Sequence, residues 1–209
     1  MQNVKTRYFL AVGFMLCIVG IVACQPYALK NTAAAEKRIS LPAPEKTGGK
    51  TVLEALWLRK STRTFSEQPV TMQNLSNLLW AAWGINRAEG GYRTVPTGMN
   101  KKDAELYVAL DGGVWRYNAA SNELELALDL PDVRARLGGA PITLLYAATA
   151  GNEFSGLHVG SMYQSAALYC AAAGIGNVVK RDRSDALSGI LALPAGYKIF
   201  IIQLVGMPK

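Results

Sequence analysis

The chain has 209 residues, half of them hydrophobic, and a formal net charge of +7 at pH 7. This length and this apolar content exclude a largely disordered chain and allow one domain with a well-buried core. The basic residues are dispersed and are not interleaved with aromatic residues, so nucleic-acid binding is not expected.

The first residues carry the features of a secretion signal. Lys5 and Arg7 precede an apolar run from Tyr8 to Ala23, and Cys24 follows it. The run is shorter than the roughly 20 apolar residues that a membrane-spanning helix needs, and the small residue before Cys24 marks a cleavage site. The sequence Ile-Val-Ala-Cys that ends at Cys24 resembles a bacterial lipobox, which implies a lipoprotein signal peptide over residues 1–23 and an acylated Cys24. A single membrane span is the alternative.

The expected location is the cell envelope, with the lipid anchor in the outer membrane and the protein facing the periplasm, because Gln25 and not an aspartate follows Cys24. Residues 24–45 are polar and punctuated by prolines, which predicts a tether; residues 46–209 form the predicted domain. Cys17 lies in the signal and Cys24 is the acylation site, so Cys170 alone remains and no intramolecular disulfide is expected.

The apolar patterns that follow predict alternating helices and strands without regular βαβ spacing, which indicates an α+β sandwich. The predicted helices cover residues 51–58, 71–83, 131–137, 156–174 and 184–193. The predicted strands cover residues 105–110, 114–117, 123–128 as an edge strand, 142–148 as a buried central strand, 177–180 and 198–205. Residues 86–102, rich in glycine and proline, predict a long irregular loop, and loops of this length are often functional.

A cluster of cations and hydroxyl groups follows the first predicted helix. Arg59, Lys60, Ser61 and Arg63 precede the apolar Phe65. Guanidinium groups can hold two phosphate oxygens each, an ammonium adds a point charge, and a hydroxyl completes the hydrogen bonds. The cluster is therefore a candidate phosphate site. The alternative is a solvated face whose cations complement the dipole at the end of the helix.

The sequence contains few side chains that are expected to catalyse a reaction or to bind a metal ion. His158 is the only histidine and is expected to be a surface or capping residue, while Cys170 is expected to be a small apolar residue of a helix. No zinc site or catalytic nucleophile–histidine pair is predicted, and no metal site is expected. The pair Gly174 and Gly176 fits a helix stop better than a dinucleotide fingerprint. Any chemistry would therefore be supplied by a bound cofactor.

The order of four motifs resembles the FMN-dependent nitroreductase family. They are Arg59–Phe65, Leu75–Gly84, Arg93–Asn100 and the pair of closing segments Gly174–Val179 and Val205–Pro208. Among its branches, the chain is most similar to the azoline-oxidase-like (thiazole/oxazole) dehydrogenases. The resemblance implies a nitroreductase-like sandwich, with a central, mostly antiparallel sheet flanked by helices, and an FMN cofactor.

Carried over residue by residue, the resemblance implies a complete cofactor site. Its phosphate end would be held by Arg59, Lys60, Ser61, Arg63 and Lys209. The flavin ring would be lined by Thr97, Gly98, Met99 and Asn100 on one side and by Val178, Val179 and Lys180 on the other.

The resemblance also implies a homodimer with FMN at the subunit interface and hydride exchange with a small organic substrate at flavin N5. Pyridine nucleotides are cytoplasmic, whereas this domain is expected outside the inner membrane. The electron donor is therefore left open between NAD(P)H and another reductant. Arg181 and its charged neighbours stand where relatives often have small residues. A lipoprotein that binds flavin or another anionic ligand without turnover is therefore the alternative function.

Overall fold

The computed structural model describes residues 38–209. Its main element is a seven-stranded sheet in which every neighbouring pair is antiparallel, in the order β1-β6-β5-β4-β7-β9-β8. The strands of the sheet are β1 (Arg38–Ser40), β4 (Ala104–Leu110), β5 (Gly113–Asn118), β6 (Glu123–Asp129), β7 (Ile142–Thr149), β8 (Gly176–Lys180) and β9 (Tyr197–Gly206). A separate two-stranded hairpin joins β2 (Ile85–Arg87) to β3 (Tyr92–Arg93). The predicted signal peptide, Cys24 and the first part of the tether lie outside the described residues.

Four helices flank the sheet: α1 (Val52–Leu58), α2 (Met72–Trp83), α3 (Val133–Leu137) and α4 (Ser155–Ala173). Both α1 and α2 contact α4, and one apolar cluster joins α2 and α4 to one face of the sheet. A second cluster joins α3 and the turns around residue 187 to the other face. The predicted α+β sandwich is thereby confirmed. Within residues 38–209, no helix combines the length and the apolar character that crossing a membrane requires.

Strand β7 explains why the sandwich has two cores. Its first seven residues are all buried, because the nearly continuous apolar run presents side chains to both faces of the sheet. Leu144 belongs to one cluster and Leu145 to the other. The prediction of a strand buried on both faces is confirmed.

The helix ends follow the local sequence. The Thr71 hydroxyl accepts a hydrogen bond from the Asn74 amide at the start of α2, and Gly84 ends this helix as predicted. Helix α4 ends at Gly174, whose φ of 71° lies in the left-handed region that glycine adopts readily. The helix-stop interpretation of Gly174 is confirmed.

The N-terminal boundary of the domain differs from the prediction. Strand β1 pairs with β6, Leu41 is buried, and Glu45 donates its amide to the Asn77 side chain at 2.8 Å. Residues 38–45 therefore belong to the domain, and the expected tether is wrong for them. For the same reason β6 is not an edge strand. A three-residue strand that alternates charged and apolar residues gives too short a pattern to be recognised among polar neighbours.

The predicted helix over residues 184–193 is also wrong. The segment forms successive turns in which Ala186, Ser188 and Ile190 donate to carbonyl groups three residues earlier. Gly189 has a φ of 79°, which interrupts any regular helix. Buried Leu187 and Leu191 attach the turns to the sheet, so their helix-like spacing reflects packing alone.

Helix α1 presents its apolar stripe outward. A capping box between Thr51 and Glu54 starts the helix: the Glu54 amide donates to the Thr51 hydroxyl at 3.2 Å, and the Thr51 amide donates to the Glu54 carboxylate at 2.7 Å. Ala55 is buried beneath it. The stripe that the sequence predicts is exposed in the described chain and consists of Val52, Leu53, Leu56 and Trp57.

Cys170 is fully buried in α4, as the sequence predicted, and burial raises the pKa of its thiol to about 12. The reactive thiolate is therefore scarce near neutral pH. We expect native protein at pH 8 to show no iodoacetamide labelling at Cys170 over an interval in which the unfolded protein is fully labelled, as measured by peptide mass mapping. Rapid labelling of the native protein would contradict this burial.

Candidate cofactor site

The basic segment, defined as Arg59–Arg63, is attached to the edge of the sheet beside the end of the chain. The Thr62 amide donates to the Asn177 carbonyl oxygen at 2.8 Å, and Phe65 pairs with Pro208 in an antiparallel bridge. The Ser66 amide donates to the Met207 carbonyl oxygen, also at 2.8 Å. These contacts fix the backbone of the segment although its cations are exposed.

Two glycines permit this close approach. Gly176 and Gly206 are cross-strand partners in the β8–β9 pair. A Cβ atom on Gly176 would lie 2.8 Å from the Thr62 methyl carbon, and one on Gly206 would lie 3.0 Å from the Phe65 ring. Any larger residue would push the basic segment away from the sheet. The sequence motifs contain both glycines, but only the strand register shows that they act together.

Some members of the basic segment line a cavity and others do not. Lys60, Thr62 and Lys209 line one cavity of about 380 Å³. Arg59, Ser61 and Arg63 are exposed and do not line this cavity. The structure therefore brings Lys60 and Lys209 together and leaves the other three residues outside their cavity.

The cations of the segment remain available to a ligand. Among residues 38–209, no carboxylate forms an ion pair with Arg59, Lys60 or Arg63. In the described part of the chain, α1 also has no basic residue in its last turn. Three cations on a fixed backbone, without ion pairs inside residues 38–209, have the chemistry that a phosphate group requires.

Strand β8 continues from the basic segment along the open edge of the sheet. The Asn177 carbonyl points out of the sheet towards Thr62, so the backbone groups of Val179, two residues later, point the same way. Val178 is buried, whereas Val179 and Lys180 are half-buried. Lys180 pairs with Asp182 at 3.4 Å. A planar ligand that extends from the basic segment along this edge would meet the backbone of Val179.

A larger cavity, of about 730 Å³, begins where β8 ends. Arg181 lines it together with the N-terminal half of α4 and the first residues of β9, and Tyr163, Tyr197 and Phe200 supply aromatic walls. A cavity of this size accommodates a small organic molecule. Sequence reasoning missed it because its walls come from three separate segments.

The turn Thr97–Asn100 lies elsewhere, against the first turn of α4. Its Gly98 amide contacts the His158 side chain, and a Cβ atom on Gly98 would lie 3.1 Å from the Phe154 ring. Met99 and Asn100 are exposed and have φ angles of 50° and 54°. Non-glycine residues in this region cost roughly 1 kcal/mol each or more, so the surrounding contacts must hold the turn.

His158 is the residue that holds it, and the expectation of a surface or capping histidine is wrong. The side chain is buried, and its Nε2 atom lies 2.6 Å from the Gly98 amide nitrogen. Its Nδ1 atom lies 2.7 Å from Asp103 Oδ1. A lone histidine near a helix start gives no indication of partners 55 and 60 residues away in sequence.

Arg93 is a further residue that sequence reasoning left without a role. Its Cζ atom lies 4.6 Å above the centre of the Trp83 ring, and its guanidinium donates to the Trp83 carbonyl at 2.9 Å. Burial lowers the pKa of Arg93. This residue lines a third cavity, of about 370 Å³, together with Thr97 and Asn100.

The two halves of the predicted site are separated within one chain. The Thr97–Asn100 turn contacts His158 near the start of α4, whereas the basic segment lies beside Gly176, just beyond the other end of α4. The 16 residues from His158 to Gly174 correspond to about 24 Å at 1.5 Å per residue.

Comparisons with known proteins give a consistent result. A family model described as the nitroreductase family matches residues 58–207. The crystal structure of a candidate nitroreductase from Ralstonia eutropha JMP134 is 36% identical, with a TM-score of 0.77, and covers 83% of this chain and 90% of that chain. A candidate nitroreductase of Methanocaldococcus jannaschii is 27% identical over 60% of this chain and 75% of its own length. A nitroreductase from Bacteroides fragilis with bound FMN has a TM-score of 0.55 at 13% identity, covers 77% of this chain and 89% of that chain, and shows the shared fold.

Proposed function

Because the chain belongs to the nitroreductase family, whose model matches residues 58–207, we propose that it is an FMN-dependent oxidoreductase that transfers hydride to or from a small organic substrate. The observation that carries the proposal is the basic segment: three uncommitted cations are fixed against the strand edge beside Lys209. The FMN-bound structure from Bacteroides fragilis, which shares the fold, supports the choice of cofactor.

The residues present fit the cofactor. Arg59, Ser61 and Arg63 would bind the phosphate, with Lys60 and Lys209 adding positive charge from their cavity. Gly176 and Gly206 leave the space that this arrangement needs. The flavin, when bound, supplies the hydride chemistry.

Strand β8 would then place the flavin ring. Val178 packs into the sheet, and Val179 presents its backbone groups at the open edge. Such groups recognise the donors and acceptors of a flavin edge without a side chain. The cavity beyond Arg181 would admit the substrate, and its aromatic walls suit a planar molecule.

A homodimer completes this site. Within one chain, the Thr97–Asn100 turn lies at the start of α4 and the basic segment lies beyond its other end, about 24 Å away along the helix axis. A second copy related by a two-fold axis can present its turn to a flavin held by the basic segment. The exposed stripe Val52, Leu53, Leu56 and Trp57 on α1 supplies an apolar surface for such a contact. Assignment to the azoline-oxidase-like branch stays a prediction.

Turnover distinguishes this function from ligand binding without chemistry. The purified protein, loaded with FMN, is mixed without oxygen with NADH, NADPH or dithionite, and the flavin absorbance is followed. We expect bleaching, and recovery when a quinone or a nitroaromatic compound is added. Flavin that bleaches with dithionite yet is not reoxidised by any acceptor would contradict the enzymatic function and favour a binding protein.

We further propose that Cys24 anchors the protein in the cell envelope. The support is the sequence alone: a basic start, an apolar run of 16 residues and a lipobox-like end. When the gene is expressed in bacteria fed a clickable palmitate, we expect label on the wild-type protein and none on Cys24→Ala. Label that survives Cys24→Ala would contradict the anchor, and Cys17→Ala serves as the control that keeps its label.

A further inference from the structure

The contacts of His158 assign a proton to one side of its ring. The Gly98 amide can only donate, so the Nε2 atom 2.6 Å away must accept. A neutral imidazole then carries its proton on Nδ1, which faces Asp103 Oδ1 at 2.7 Å. This second contact is close but bent, since among residues 38–209 neither atom has a well-aligned hydrogen-bond partner. A protonated ring would carry a second N–H on Nε2. That N–H would face the N–H of Gly98, with no acceptor between them.

Asp103 joins this contact to the start of α4. Its Oδ2 atom accepts a hydrogen bond from the Asn152 amide group. Asn152 in turn accepts from the Phe154 amide at 3.0 Å, and the Phe154 ring stacks on His158 with an angle of 15° between the planes. Asp103 thus lies against the imidazole at 2.7 Å, and the imidazole accepts the hydrogen bond from Gly98.

The turn that His158 contacts has backbone dihedral angles that non-glycine residues rarely adopt. Met99, Asn100 and Lys102 all have φ angles between 50° and 54°, in the left-handed region. The turn has backbone hydrogen bonds from Asn100 to Thr97 and from Lys101 to Gly98, each 3.1 Å long. At Gly98 a buried side chain of α4 contacts the turn, and this residue directly precedes the exposed Met99 and Asn100.

We propose that His158, oriented by Asp103, is a positioning residue that holds the Thr97–Asn100 turn in the shape that contacts the flavin. The role rests on the proposed function, because the turn is assigned to the flavin by the family resemblance. His158 does not touch the cofactor in this account. It acts through the Gly98 amide, and its effect on flavin is transmitted by Met99 and Asn100.

Two substitutions separate this role from general packing. In His158→Gln, the side-chain oxygen can occupy the place of Nε2 and accept from Gly98. In His158→Asn, the shorter amide can still face Asp103 but cannot reach Gly98. Both variants remove the ring and its stacking on Phe154, and they differ from each other by one methylene group. A third variant, His158→Phe, keeps a stacked ring and lacks the acceptor.

The first measurement is amide hydrogen exchange at Gly98 in the protein without flavin. We expect protection in the wild type and in His158→Gln, and loss of protection in His158→Asn and His158→Phe. The second is FMN affinity, followed by flavin fluorescence. We expect His158→Gln to stay within about threefold of wild type, and His158→Asn and His158→Phe to bind about 10- to 100-fold more weakly, as expected when a buried amide loses its acceptor.

The outcomes distinguish the two proposals. Wild-type protein that binds no FMN contradicts the proposed function, and with it the flavin part of the role of His158. Wild-type protein that binds FMN, with His158→Asn and His158→Phe binding equally well, contradicts only the role of His158. His158→Gln that binds FMN as weakly as His158→Asn also contradicts the role of His158. Lost packing alone would then explain the lower FMN affinity of both variants.

Discussion

Replacing Ser61 and Arg63 together by alanine is expected to weaken FMN binding by at least about 100-fold, since hydrogen bonds to charged groups contribute about 1.5–3 kcal/mol each. The two residues are exposed, as is Arg59. Neither anchors the backbone, because the hydrogen bond to the sheet is made by the Thr62 amide. The variant should therefore fold normally and differ from the wild type only in its lower affinity for FMN.

The control removes the same chemical groups elsewhere. Lys46 and Thr47 are exposed and supply one cation and one hydroxyl, so Lys46→Ala with Thr47→Ala should leave the affinity within about twofold. Both double variants are compared by fluorescence titration with FMN, and their melting temperatures confirm folding. If Ser61→Ala/Arg63→Ala binds FMN as tightly as the wild type, the phosphate is bound elsewhere. The cavity lined by Lys60 and Lys209 is then the next candidate.

Replacing Leu53 and Trp57 by glutamate is expected to convert a dimer into monomers and to abolish stable FMN retention. The two side chains are 78% and 89% exposed in the described chain, so the substitutions cost the monomer little. In a dimer interface, by contrast, each would bury a charge without a partner, at a cost of several kcal/mol. Loss of the dimer would also remove the partner's Thr97–Asn100 turn from the flavin.

Analytical ultracentrifugation gives the mass of each species, and desalting after FMN addition gives flavin retention. The control is Ile190→Glu, which places a charge at an apolar side chain that is also exposed, 47%, and lies in the turns after β8. Leu53→Glu/Trp57→Glu protein that remains dimeric would exclude α1 from the interface. A monomer that retains flavin at wild-type affinity would contradict a site shared between subunits.

Most of the fold could be predicted because its long elements carry strong patterns. The apolar run of β7 and the spacing of α2 depend on local sequence and burial alone, and both are observed. The failures have a common cause in tertiary contacts. Strand β1 is too short to show a period and depends on β6 for its conformation, while the turns around Leu187 take their spacing from the sheet beneath them.

The sequence indicates the residue types of a candidate site and not its geometry. A cluster of cations and hydroxyls suits a phosphate, and the structure adds that backbone hydrogen bonds fix this cluster against the sheet. Sequence reasoning could not show that Lys60 lines a cavity with Lys209, or that the Thr97–Asn100 turn and the basic segment lie at opposite ends of α4. It also missed His158, because its partners Gly98 and Asp103 come together only when α4 packs against the turn.

The most direct test of the central claim is the absorbance spectrum of the purified protein after incubation with FMN and desalting. We expect flavin bands at about one FMN per chain, and loss of these bands in Ser61→Ala/Arg63→Ala. Folded, colourless wild-type protein would contradict it.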